Sequence, residues 1–232
     1  MDTVVITGAN RGLGLELAKV FAARGDTVIG GCRTPAAADE LQALTRHVHA
    51  VDTGDERSIA DFVTAVGDGP VDVLVNNAGL SAEGLGAALD ERDVLLLSPE
   101  HFMGQMRINA LGPMLLARRL LPALRRSARP RIVNISSQVG SMVVGSHTGR
   151  DVGYGASKAA LNMVTIKLAM RLHDEGVVAV AVHPGWLRTA MGGASADLDP
   201  TEAAVQIVDL IEGLTMEQSG RFLRWDGSEH PW

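Results

Sequence analysis

Two rhythms of apolar residues alternate along the chain. Short β-branched or continuously apolar runs read as strands at Thr3–Thr7, Thr27–Gly31, His47–Val51, Val71–Asn76, Arg131–Ser136, Val177–Val182 and Arg221–Trp225. Helical spacing fills the intervals. Gly12–Arg24 places Leu13, Leu17, Val20 and Phe21 on one face. Ala36–Leu44 is a weaker helix, and Ser58–Val66 a helix capped by Ser58 or a neighbour. Ser98, as N-cap with Pro99 in the first turn, opens a long helix to Arg126, which Pro113 and Pro122 kink or end. Gly153–Asp174 and Pro200–Leu214 are further helices, whereas Ser81–Leu97 mixes glycine, acid and leucine and reads as a loop with at most a short helix.

Strand and helix in turn imply parallel βαβ units with right-handed crossovers. A strand apolar throughout, such as Val177–Val182, needs cover on both faces. The expected fold is therefore α/β: a three-layer, doubly wound, Rossmann-type parallel sheet of about seven strands, with residues 1–232 as a single domain.

The chain has 232 residues and a formal net charge of −6, which argues against nucleic acid or an anionic membrane as the main partner. The single cysteine, Cys32, excludes an internal disulfide and fits a reducing cytosol. With no basic leader and no apolar run of bilayer length, the expected location is the cytoplasm. The histidines are scattered. His47 and His49, the nearest pair, have the spacing of sheet neighbours rather than of ligands, so no metal is expected.

Chemistry concentrates in three places. The first is Thr7-Gly8-Ala9-Asn10-Arg11-Gly12-Leu13-Gly14, where the first strand becomes the first helix. Glycines there permit a sharp turn, close approach of backbone to a diphosphate, and tight helix–sheet packing, while the helix N-terminus offers free N–H groups and partial positive charge. The second is Tyr154-x-x-x-Lys158. Tyr154 is the one tyrosine and Lys158 one of three lysines, and a spacing of four puts phenol and ammonium on one helix face. A nearby cation favours phenolate; bringing a phenol from about 10 to about 7 takes about 4 kcal/mol. The third is the end of the second strand, Gly30-Gly31-Cys32-Arg33, where a carboxylate for a ribose 2′-hydroxyl is missing. Arg33, with Arg11 opposite, offers planar guanidinium forks to a 2′-phosphate, which favours NADP(H) over NAD(H).

The glycine spacing at 8, 12 and 14 resembles that of the single-domain short-chain dehydrogenase/reductase family. So do Asn76-Asn77-Ala78-Gly79, Asn109, Ser136-Ser137, Tyr154-x-x-x-Lys158 and His183-Pro184-Gly185. The ending, Gly220-Arg221-Phe222 through Pro231-Trp232, is similar to the C-factor-like and sniffer-like carbonyl reductases of that family. The resemblance implies an NADPH-dependent reductase of ketones or aldehydes. It gives Tyr154 as proton donor, Lys158 on the nicotinamide ribose, Ser137 polarising the substrate carbonyl, and Asn109 holding a water of the proton relay.

For the cofactor the resemblance implies Gly8, Asn10, Arg11, Gly12, Leu13, Gly14, Arg33, Asn77, Ala78, Gly79, Tyr154, Lys158, Pro184, Gly185 and Thr189. It also implies Asp52 at the adenine, although a loop-capping aspartate is an equal reading. Met142, Val143, His147, Trp186 and Met191 are candidates for the substrate pocket, or simply loop and core packing. The segment 188–199 is short for a lid, which suggests an open site. The helices 98–126 and 153–174, the latter with Ala156, Ala159, Ala160 and Met163, resemble subunit-pairing helices, so a homodimer or homotetramer is expected. Two rival readings are a dinucleotide-binding signalling or redox-sensing protein with little turnover, and an extended-type epimerase or dehydratase. The glycine spacing and the lack of a second domain weigh against the last.

Overall fold

A computed structural model describes residues 1–147 and 150–232. Its centre is one sheet of seven strands: β1 (Thr3–Thr7), β2 (Thr27–Cys32), β3 (Val48–Ala50), β4 (Val73–Asn76), β5 (Arg131–Ile135), β6 (Val178–His183) and β7 (Phe222–Arg224). All pair in parallel, in the order β3-β2-β1-β4-β5-β6-β7. The order reverses between β1 and β4, which opens a crevice at their carboxyl ends.

Register explains the layers. Ile6, Val75, Val133 and Val180 stand side by side across four strands, and one residue earlier so do Val5, Leu74, Ile132 and Ala179. Successive side chains point to opposite faces. The first row packs with Leu17 and Phe21 of α1 (Gly12–Ala23), and with Ile207 and Ile211 of a late helix, Pro200–Gly213. The second packs with Phe62 of a helix at Glu56–Val66, with Leu116 and Leu120 of Gly112–Leu124, and with Leu172 at the end of Val152–Leu172. These helices, in chain order with Asp39–Leu44 and Pro99–Met106, are α1, α2 (39–44), α3 (56–66), α4 (99–106), α5 (112–124), α6 (152–172) and α7 (200–213).

The structure departs from the sequence reading in a few elements. The helix expected over 98–126 is two, α4 and α5, joined by a π turn at Arg107–Leu111. Ser98 does cap α4, its hydroxyl accepting from His101 N (3.2 Å). Pro113 sits in the first turn of α5, where no N–H is needed, and Pro122 lies close to its end. α3 begins at Glu56 because Asp55, not Ser58, caps it by accepting from Arg57 N (2.8 Å); the Ser58 hydroxyl instead accepts from Asp52 N. α2 starts at Asp39, after a 3₁₀ turn opened by Pro35. Residues 81–97 hold two short 3₁₀ turns. No helix among the described residues is long and apolar enough to cross a membrane.

Candidate active site

The first βα turn is an open cradle. Gly12 starts α1 with φ +55°, and a Cβ there would meet only Thr189, 3.6 Å away, so the space above it is free. Arg11 caps the helix without a side-chain bond, which leaves the N-terminal N–H groups available to an anion. Below the turn there is no room. A Cβ on Gly14 would stand 2.2 Å from Gly8 O and 2.5 Å from Asn77 Nδ2.

Asn77 and Ala78 brace this turn. Asn77 Nδ2 donates to Thr7 O (3.0 Å) and Gly8 O (3.2 Å), while the Asn77 and Ala78 N–H groups donate to Thr7 Oγ1 (3.2 and 3.1 Å). Leu13 is buried beneath, whereas Asn10 is half-buried and Arg11 exposed. Ala9 N donates to Gly31 O (3.1 Å), bringing the cradle beside the end of β2. Arg33 follows that end, and both it and Arg11 are exposed and, among the described residues, unpaired with any carboxylate. Asp52 makes a loop cap, its Oδ1 accepting from Gly54 N (2.8 Å), and remains exposed.

The chemistry-bearing side chains converge from four elements. Lys158, on the buried face of α6, reaches the end of β5 and donates from Nζ to Ile135 O (2.7 Å). Its ammonium lies 5.6 Å from the centroid of the Tyr154 ring, one helical turn back. The Ser137 hydroxyl, just past β5, faces the phenol, and Ser137 Oγ also accepts from Val139 N (3.4 Å). Gly79 lies over the group: a Cβ there would be 3.2 Å from Asn109 Oδ1 and 3.4 Å from Lys158 Nζ.

Asn109 sits in the π turn, fully buried. Its Oδ1 accepts from Leu80 N (2.9 Å), and its Nδ2 donates to Leu80 O (2.8 Å) and Ser157 Oγ (2.9 Å). The side chain thus anchors the segment after β4 to α6. The extra residue of the π turn turns Asn109 toward that segment, and such turns recur at functional sites.

Burial dominates the acid–base groups. It pushes the Tyr154 phenol up to about 12; the Ser137 hydroxyl opposes this, and the charge of Asp151 adds to it. Burial also brings Lys158 down to about 8. The downward pull expected from Lys158 on Tyr154 is not what the protein shows. The ammonium is engaged by a backbone carbonyl, and its own charge is disfavoured by the same burial that disfavours phenolate.

After β6, Gly185 has φ +86° with Leu198 and Trp225 packed against it, and Thr189 reaches the rim of the phosphate cradle. Pro184 precedes that turn, and His183 before it is buried. Arg188 holds the segment closed on itself, donating to Ala196 O (3.2 Å) and Asp197 O (2.9 Å). Met142, Val143, Trp186 and Met191 are exposed at 76, 63, 49 and 54%, so they lie on the surface rather than in the core; His147 is exposed as well. Thr148 and Gly149 lie outside the described residues.

The sequence reading missed three residues at the site, Arg92, Asp151 and Asn162, and named His183 only within the His183-Pro184-Gly185 motif. Arg92 grips Asp151 with both forks of its guanidinium (Nε to Oδ1, 2.6 Å; Nη2 to Oδ2, 2.7 Å), tying the 81–97 segment to the start of α6. Asp151 holds φ +59°, the left-handed region, immediately before the helix that bears Tyr154. Asn162 and His183 bond the turn that carries Ser137. Of the three missed residues, Asn162 alone had a visible signal: it is polar and falls one turn past Lys158 on the same helix stripe.

The chain is similar to known proteins in sequence and in fold. The family model for short chain dehydrogenases matches residues 2–199. The C-signal protein of Myxococcus xanthus is 41% identical over 171 residues, covering 74% of this chain and 98% of that protein. Among solved structures, an NADPH-bound carbonyl reductase from chicken fatty liver superposes with a TM-score of 0.89 at 30% identity, covering 100% of this chain and 99% of its own. The carbonyl reductase Sniffer of D. melanogaster gives 0.88 at 31% identity, with both chains covered completely.

Proposed function

The chain belongs to the short-chain dehydrogenase family of hydride-transferring oxidoreductases, and we propose that its reaction is the NADPH-dependent reduction of a ketone or aldehyde. The observation that carries this reading is the convergence of Tyr154, Lys158 and Ser137 at the sheet end beside an open, uncapped helix N-terminus.

The residues present fit the cofactor. The cradle over Gly12 admits a diphosphate, and the α1 N–H groups would hold it. Arg33, exposed past the end of β2 where no acid stands, and Arg11, exposed at the start of α1, would bind a 2′-phosphate, in keeping with the NADPH held by the chicken reductase. When bound, the nicotinamide supplies hydride to the carbonyl carbon.

The chain supplies the rest. Ser137 Oγ donates to the carbonyl oxygen and stabilises the charge that develops there. Tyr154 delivers the proton to the same oxygen, completing the alcohol. A phenol pushed up to about 12 is fully protonated at neutral pH, which is the state a donor needs. Lys158 returns positive charge as the phenol becomes phenolate. The exposed apolar side chains of Met142, Val143, Trp186 and Met191 suit a carbonyl compound with hydrocarbon bulk.

A second reading, dinucleotide binding for signalling without much turnover, draws on the likeness to C-signal. The complete donor set favours turnover, since a sensor has no use for a positioned phenol. The test is Tyr154→Phe, assayed by NADPH oxidation over a panel of ketones and aldehydes. Turnover is expected to fall by about 100-fold or more, with NADPH affinity, followed by fluorescence titration, held within about twofold. Wild-type rates in the variant would exclude Tyr154 as the donor.

A further inference from the structure

We propose that Asn162 is a positioning residue for the reaction, holding the Ser137 turn at a fixed depth against the helix that bears Tyr154; the proposal rests on the role of Ser137 given above. The Ser137 turn leaves β5 at Ser136 and closes at Gly140 as a single 3₁₀ turn. Such a short turn has little rigidity of its own, because one or two local hydrogen bonds must fix it.

Asn162 grips it at both ends. Its Oδ1 accepts from Ser136 Oγ at 2.6 Å, and its Nδ2 donates to Gly140 O at 3.3 Å. Both side chains are buried, Ser136 at 2% exposure and Asn162 at 4%, so water does not compete for these bonds. The catalytic serine lies between the two gripped residues.

Gly140 makes the grip close. A Cβ at that position would stand 2.7 Å from Lys158 Cβ and 2.8 Å from the Lys158 carbonyl carbon. The turn therefore lies directly on the α6 backbone at Lys158, and Asn162 is one helical turn further along the same stripe. One helix thus carries the proton donor, the ammonium and the amide that sets the serine. Any slack in the amide would alter the Ser137–Tyr154 separation, on which joint contact with one carbonyl oxygen depends.

A merely structural asparagine would cost stability when removed and leave the serine's contribution intact. A double-mutant cycle separates the two cases. Asn162→Ala is expected to lower kcat for carbonyl reduction by about 10–100-fold, with NADPH affinity unchanged. Ser137→Ala lowers it independently. In the Ser137→Ala background, adding Asn162→Ala should change kcat by less than about twofold, since there is no hydroxyl left to position. Ser136→Ala, which removes the partner instead, should reproduce the same non-additivity if Asn162→Ala folds poorly. Losses that multiply in the double variant would overturn the proposal, as would an Asn162→Ala enzyme with wild-type kcat. A Ser137→Ala enzyme at full rate would overturn the reading of Ser137 first, and the proposal with it.

Discussion

The ammonium of Lys158 stands where a charge is least welcome, 3% exposed and, among the described residues, hydrogen-bonded to the Ile135 carbonyl alone. The cost is measurable. A lysine at about 8 in the fold and near its ordinary value when unfolded leaves the unfolded chain binding more protons between those limits. Stability therefore rises with pH through that window, as the fold ceases to bury a charge. Lys158→Met removes the titrating group, so the difference in unfolding free energy between wild type and variant should shift in favour of wild type by about 2–3 kcal/mol from pH 7 to pH 10. Urea unfolding at the two pH values measures it, and a pH-independent difference would show that the ammonium is not desolvated. The same burial keeps the Tyr154 phenol protonated at neutral pH, which suits the donor role proposed for it.

At the scale of elements, the cradle depends on α1 lying hard against the β1 turn. Gly14→Ala would drive a methyl into Gly8 O at 2.2 Å, a backbone atom that cannot swing aside. The expected result is a folded enzyme of lower Tm whose NADPH affinity falls at least about tenfold, measured by titration; unchanged affinity would mean that the turn tolerates displacement. This contact was legible in the spacing of the glycines, and the apolar pattern made legible all seven strands and the helix that pairs Tyr154 with Lys158. What stayed hidden has a physical pattern. Arg107-Ile108-Asn109-Ala110-Leu111 has ordinary helical composition, and only the pull of Leu80 and Ser157 on Asn109 reveals the π turn. Asp55 and Ser58 are both good caps, and the choice fell to Asp55 because the Ser58 hydroxyl is taken by Asp52 N. Long-range partners such as Arg92 for Asp151, or His183 for Gln138, have no local signature at all.

The whole molecule closes the site with its last strand and the residues after it. β7 lies beside β6, and His230 N donates back to Phe222 O (2.7 Å). Trp232 stacks on Phe222 at 5.4 Å between ring centroids, while its O accepts from Ser141 Oγ (3.0 Å) and Val143 N (3.3 Å), just past the Ser137 turn. His183 is the joint of this arrangement, with its ring 5.3 Å from His230 and 5.8 Å from Trp225, and its Nδ1 accepting from Gln138 N at 3.3 Å. That acceptor exists only on the neutral ring. Burial, then the proximity of His230 and Arg224, brings His183 down to about 4. A base depressed in the fold gives stability that is complete above its unfolded value near 6.5 and is lost as pH falls toward 4. Between pH 7 and pH 5 the protein should lose about 2 kcal/mol from this one group, because the unfolded chain takes up the proton while the folded ring stays neutral and keeps its bond to Gln138 N. Thermal unfolding of wild type and His183→Asn over that range tests it, because the variant keeps a polar acceptor but does not titrate. Its stability should fall less steeply with acid by that amount, and parallel curves would assign the acid sensitivity to other groups.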